Sequence, residues 1–220
     1  MTRTFRFVAG VCIVFAFQIH HAFADRIVGV TATTTMGSGF STSLINAVNG
    51  NGLSALSLTA THAGTGQTNS WVSAPGVLVG TVTFALGGSY QVDSFSFWNQ
   101  NGGGPGNDGT SGIQAVQVLT STDGVSFALL PGGPSLFAQV PGFSALPAQI
   151  FAFAPVTATH FRFDISSNYG DAAQTGFAEV GFNAISAPEA SAAQLLVAGL
   201  ALMALFRRQG RFSIGLFSRK

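Results

Sequence analysis

Two histidines, His62 and His160, are the imidazoles available for chemistry in the body of this 220-residue chain; the other two, His20 and His21, lie near the start. Histidine is the commonest general base near neutral pH, but it needs a nucleophile or an acidic partner in reach. His62 sits in the Gly/Thr-rich stretch TATHAGTGQTNS, which reads as a polar loop. His160 lies on an alternating run with Arg162 and Asp164, which reads as the wet face of a strand. There is no G-x-S-x-G elbow, no H-E-x-x-H and no phosphate-binding loop,. The single cysteine is Cys12, and two histidines without thiolates make a poor zinc site,. A serine–histidine site assembled in space is the weakest of three functional readings, and the expectation is a protein that is not an enzyme.

Binding chemistry has better candidates. A neutral sugar is held by an aromatic face with a few polar groups beside it. Trp98 points opposite to Phe95 and Phe97 and runs into the polar loop Asn99-Gln100-Asn101-Gly102. Tyr169 lies in SSNYGD beside Asn168 and Asp171, and Arg162 has the donors to bridge hydroxyls unless a neighbouring acid takes them. Trp98, Tyr169, Asn168 and Arg162 are therefore the expected ligand-binding residues.

The elements that must position them read as all-β. Between Ile27 and Ile185, short apolar or alternating runs are separated by Gly, Ser, Asn and Pro clusters,. Strands are expected at Leu56–Ala60, Val77–Leu86, Val92–Trp98, Ala115–Ser121, Ser126–Leu130, Gln149–Phe153, His160–Ile165 and Ala178–Ile185. Phe161, Phe163 and Ile165 share one face, with His160, Arg162 and Asp164 on the other; Ala178, Val180, Phe182 and Ala184 alternate with Glu179, Gly181 and Asn183. Thr122-Asp123-Gly124 reads as a tight turn with positive φ at the glycine.

The charges divide the chain into three. Seven of the nine basic residues lie in the first six positions or after position 206. From Asp25 to Ser186 there are two basic and seven acidic residues, a net −5 behind the overall +1. This excludes a basic nucleic-acid surface, and 47% apolar residues exclude disorder by composition,. Arg3 and Arg6, the apolar run Phe7 to Phe17, and Ala22-Phe23-Ala24 form a signal-peptide pattern over 1–24, with cleavage after Ala24,. The apolar run is about 11 residues, short of the about 20 that a membrane span needs. Cleavage would remove Cys12 and leave no disulfide. At the other end, Pro188 and Glu189 precede the apolar stretch Ser191 to Phe206, then Arg207-Arg208. An ordinary tail anchor or a packed helix is the plain alternative. The layout resembles the PEP-CTERM signal that exosortases of Gram-negative bacteria process, here over 187–220. It departs from it in carrying Ala190 for the third motif residue and in continuing for twelve residues beyond Arg208.

Four strings in the middle segment, TFALGG ahead of Tyr90, VDSFSFWN (92–99), TSTDGVSF (120–127) and FRFDISSNYGDAAQTGFAEVGF (161–182), resemble in order and spacing the discoidin or coagulation-factor type C domain. The resemblance covers Ile27 to Ile185. It implies an antiparallel jelly-roll sandwich of the galactose-binding-like kind over 25–186, and a structural role for Trp71. It also implies a structural Ca²⁺, whose matching ligands would be Asn46, Asn49, the Ala178 carbonyl and Glu179; Asn49 stands where the family commonly has Asp. Its relatives bind glycans or lipid headgroups through loops at one end. The leading expectation is an exported, non-enzymatic protein that binds envelope or extracellular polysaccharide, held briefly in the inner membrane before an exosortase-type enzyme processes it. The alternative is a structural matrix or biofilm protein with no glycan ligand.

Overall fold

The computed structural model describes residues 24–101, 109–140, 142 and 145–185, which fall in one compact unit, Phe23–Ala187. The signal-peptide run before Ala24 and the sorting signal, with Pro188, Glu189, Arg207 and Arg208, lie outside the described residues. The described residues form ten strands: β1 Ala24–Arg26, β2 Thr31–Thr34, β3 Thr61–His62, β4 Trp71–Val72, β5 Gly80–Asn99, β6 Val116–Ser121, β7 Ala128–Leu129, β8 Leu146–Pro147, β9 Gln149–Ile165 and β10 Gly176–Ile185. The helical element among the described residues is one 3-10 turn, Leu44–Ala47.

The architecture is an antiparallel β-sandwich built around two long strands. β5 and β9 pair twice, Gly80–Ala85 against Ile165–His160 and Tyr90–Phe97 against Ala158–Gln149, with an irregularity between. Gly87, at φ 79, takes the left-handed backbone this bend requires,. Each strand therefore contributes to both layers. In one, β2 and β6 flank the first half of β5 and the second half of β9, with β7 at the edge. In the other, β10 pairs the second half of β5 and carries β1 and β4. Two expected strand pairs, Val77–Leu86 with Val92–Trp98 and Gln149–Phe153 with His160–Ile165, are thus one bent strand each. Bulges explain where simple alternation fails. The shift between Val92 and Ser94 moves the core positions from Val92 to Phe95 and Phe97, and a shift at Ala178 puts Phe177 and Val180 inward together,.

Phenylalanine fills the space between the layers. Phe163 packs against Phe84, Phe95, Phe97 and Phe137, with ring centroids 4.9, 5.5, 6.1 and 5.5 Å away. Phe161 meets Phe182 across the core at 4.7 Å. Truncating one such ring costs about 3–5 kcal/mol, a large share of the stability of an ordinary domain. The expected alternation of β9 holds, with Phe161, Phe163 and Ile165 buried and Arg162 and Asp164 partly exposed. The expected strand Leu56–Ala60 does not form. Those residues run as turns and bends across the outer face of β5 and β10, where the Leu58 and Ala60 carbonyls accept from Ser96 Oγ and Trp98 Nε1.

Candidate ligand-binding site

That covering segment decides the fate of the expected sugar platform. Trp98 does point away from Phe95 and Phe97, but it is 2% exposed and its indole N–H donates to the Ala60 carbonyl at 3.0 Å. It has no free face for a ligand. Arg162 is held by both oxygens of Asp164 at 2.7 and 3.0 Å and lies 4.5 Å over the Phe127 ring. Its Nε and Nη2 are engaged by the neighbouring acid on the sheet surface. Asn168 Nδ2 donates to the Asp171 and Gln174 carbonyls and to Thr175 Oγ1, so it staples the β9–β10 loop. The Tyr169 hydroxyl donates to the Phe137 carbonyl at 2.5 Å. All four expected contact residues have structural partners.

The loop holding Asn168 and Tyr169 nevertheless leads, through Gly170–Gln174, into the lining of a cleft among the described residues. Four segments converge there: the β2–β3 connection at Phe40 and Thr42, the stretch Thr65–Ser70 before β4, Gln100 and Thr110 beyond β5, and Gly170–Gln174 between β9 and β10. The cleft has a volume of about 630 Å³, within the range of small-molecule sites. Asp171 is the one charged side chain lining it among the described residues, and Oδ1 of that carboxylate accepts from Ala173 N and Gln174 N at 2.7 and 3.1 Å.

Phe40 stands at the rim, 59% exposed. Its φ of 50°, followed by 59° at Ser41, places two consecutive non-glycine residues in the left-handed region. Such conformations are costly and persist only where the surroundings enforce them. Here Gly39 N donates to the Val72 carbonyl, Thr42 N and Oγ1 both donate to the Gly39 carbonyl, and Val72 N donates to Thr42 Oγ1. A Cβ at Gly39 would lie 2.4 Å from the Ser73 carbonyl oxygen, so only glycine fits. These contacts pin the backbone on either side of Phe40, and its ring stands exposed at the rim and outside the core.

Three lining residues carry buried oxygens without a partner: Thr65 Oγ1, Gln100 Oε1 and Gln174 Oε1. A buried polar atom left unpaired costs about 1–3 kcal/mol. Beneath them Asn99 has its whole side-chain amide paired. Asn99, 2% exposed, donates to the Ile113 and Ala138 carbonyls and accepts from Gln100 N and Ile113 N.

The histidines are accounted for. His62 is 2% exposed, with Nδ1 and Nε2 facing the Ala63 and Asn51 carbonyls at 2.5 and 3.0 Å, and burial lowers its pKa. His160 meets the Thr159 hydroxyl at 2.8 Å and packs over the Gly124 turn.

The residues expected to hold Ca²⁺ come together in part. Gly50, next to Asn49, donates its N–H to both oxygens of Glu179 at 3.1 Å, and Glu179 is completely buried. The other partner of Glu179 is Arg26, which is ion-paired to Oε1. Burial raises the Glu179 pKa to about 7, against the opposing pull of the guanidinium and the Gly50 N–H. Asn49 Oδ1 is taken by Asn51 N at 2.8 Å, and Asn46 turns its amide nitrogen to the Gln67 and Ser70 carbonyls. No cluster of three or more His, Cys, Asp or Glu side chains suited to a metal occurs among the described residues. The expected donor set does not fit Ca²⁺.

A scan against protein-family models finds no match to this chain, and a search of curated proteins finds none either. Solved structures do share its fold. CBM32-1 from a family 31 glycoside hydrolase of Clostridium perfringens aligns at 13% identity and TM-score 0.50, covering 72% of this chain and 96% of that one. The F5/8 type C domain of a Bacteroides fragilis protein aligns at 14% identity and TM-score 0.50, covering 74% and 97%. A family 89 glycoside hydrolase of C. perfringens, in complex with GlcNAc-alpha-1,4-galactose, aligns at 17% identity and TM-score 0.48 over 74% of this chain; the chain spans only 15% of that enzyme's length. The fold is that of the discoidin-type, galactose-binding-like sandwich.

Proposed function

We propose that this chain is an exported, non-catalytic carbohydrate-binding protein that holds a neutral glycan in the cleft under Phe40. The observation that carries the reading is the exposed aromatic ring at the rim of a cleft whose mainly apolar walls carry a few hydrogen-bonding groups. A pyranose ring stacks on such a face, and a phenylalanine has only two side-chain torsions to order on binding. Turning the Gln100 and Gln174 side chains toward the cleft would give their unpaired oxygens, with Thr65 Oγ1, the hydroxyl donors they lack. The shared fold with CBM32-1 supports the class of ligand. Export rests on the signal-peptide pattern ending at Ala24, and passage to the envelope or exterior on the PEP-CTERM-like tail, which makes an exosortase-type enzyme the expected processing partner.

A glycan array of neutral, uronate-bearing and sialylated oligosaccharides tests this. Binding confined to neutral glycans is expected, because the cleft has no cationic side chain among its described residues and one carboxylate. Binding to none of them would turn the reading toward a structural matrix role. Preference for the acidic glycans would contradict the assigned cleft.

A further inference from the structure

We infer that the guanidinium of Arg26 is this chain's built-in cation at Glu179, and that the seat the carboxylate faces takes no divalent metal. The placement follows from the strand register. Arg26 pairs with Asn183 across β1 and β10, so it shares the outer face with the alternating residues Asn183, Gly181 and Glu179,. Its side chain runs back along β10 over Gly181. A Cβ there would lie 3.4 Å from Arg26 Cζ and 2.9 Å from Leu58, so a larger residue would crowd the guanidinium. At the end of this path Nη2 pairs with Glu179 and lies 3.5 Å from the Val48 carbonyl.

Charge and access argue the same way. The side chains of Arg26 and Glu179 are 7% and 0% exposed, so the pair is sealed beneath the segment from Val48 to Ala60. One guanidinium balances one carboxylate. A divalent ion added here would bring two further positive charges into a buried space where, among the described residues, no second carboxylate meets them, and burying uncompensated charge is prohibitive,. Ca²⁺ takes six to eight oxygen ligands. Here the loop presents Glu179 with the Gly50 N–H, a donor, and Asn49 directs Oδ1 to its own turn. The loop is folded around an anion that already has its cation.

Thermal melting of the full chain, chelator-stripped and then with millimolar CaCl₂, is the direct test. No shift is expected; a rise in melting temperature with Ca²⁺ would overturn the inference. Arg26→Ala should melt roughly 6–20 °C lower, the loss expected when one partner of a buried pair is removed from a domain of this size. Melting like the wild type would also overturn it. Should Arg26→Ala fail to fold, Arg26→Met with Glu179→Met removes both charges at similar volume. That double variant is expected to fold and melt well above Arg26→Ala; a double variant as unstable as the single would show that the pairing is not what holds the segment.

Discussion

Trp98 and Phe40 exchange the roles their sequence contexts suggest. Trp98 precedes a polar loop and alternates away from the core phenylalanines, yet it is sealed by residues nearly forty positions upstream. Periodicity of one strand reports which side a residue takes and not what later covers that side. Trp98→Phe should leave the Ala60 carbonyl without its donor and cost about 1–3 kcal/mol in a urea titration, with glycan binding unchanged; lost binding with unchanged stability would restore Trp98 as a contact. Phe40 sits in GSGFSTS, a stretch that reads as linker. The available signal was a lone large aromatic among residues too small to bury it. Asp123 shows the opposite case, a role fully visible in TSTDGVSF. Its Oδ1 accepts from Val125 N and Ser126 N at 2.8 Å each, and Gly124 has φ 74 as the turn demands. Those bonds hold its pKa far below the usual carboxylate range. Since the folded pKa is the lower one, its stabilisation is full above about pH 4, near the unfolded value, and is lost as pH falls. Denaturation midpoints of Asp123→Asn should therefore drop less steeply below pH 4 than those of the wild type.

The elements show which interactions propagate to the cleft. The β2–β3 connection around Phe40 has no strand character, yet its backbone is tied down. Gly39 packs against the Ser73 backbone, and Thr42 bonds back to Gly39. Gly39→Ala must push the connection away from β4. We expect a stability loss of about 1–3 kcal/mol, as for other overpacked sites, together with weaker glycan binding because Phe40 moves with its backbone. Unchanged stability and binding would mean that the left-handed pair at Phe40 and Ser41 is not what aims the ring. The strands themselves were legible from alternation and turn residues. Their joining into two long bent strands was not, because Gly87-Gly88 looks the same as a bend or as a break. The loop SSNYGD was legible as a site-forming loop, although its side chains hold its shape and the neighbouring residues Gly170–Gln174 line the cleft. The β1 ion pair was hidden by sequence distance: Arg26 and Glu179 lie 153 positions apart, and only the antiparallel register of β1 with β10 brings them to one face.

At the scale of the whole molecule, the low charge and the abundance of phenylalanine have one cause. The single cysteine lies in the segment the signal peptide would remove, so the sandwich must be held by its aromatic core and by few, well-placed polar groups. The same economy shapes the cleft, which has hydrogen-bonding groups and an aromatic ring but no ionic hold. Affinity built this way depends little on ionic strength, since a neutral glycan makes no charge–charge contact with the cleft for salt to screen. The central claim is that the cleft under Phe40 binds a neutral glycan. Its most direct measurement is a calorimetric titration of the best neutral glycan from the array into the wild-type chain and into Phe40→Ala, at low and high salt. The account predicts saturable one-site binding that salt leaves unchanged and that Phe40→Ala weakens about tenfold or more, with the melting temperature of the variant preserved. Binding that survives Phe40→Ala undiminished, or that salt abolishes, would contradict it.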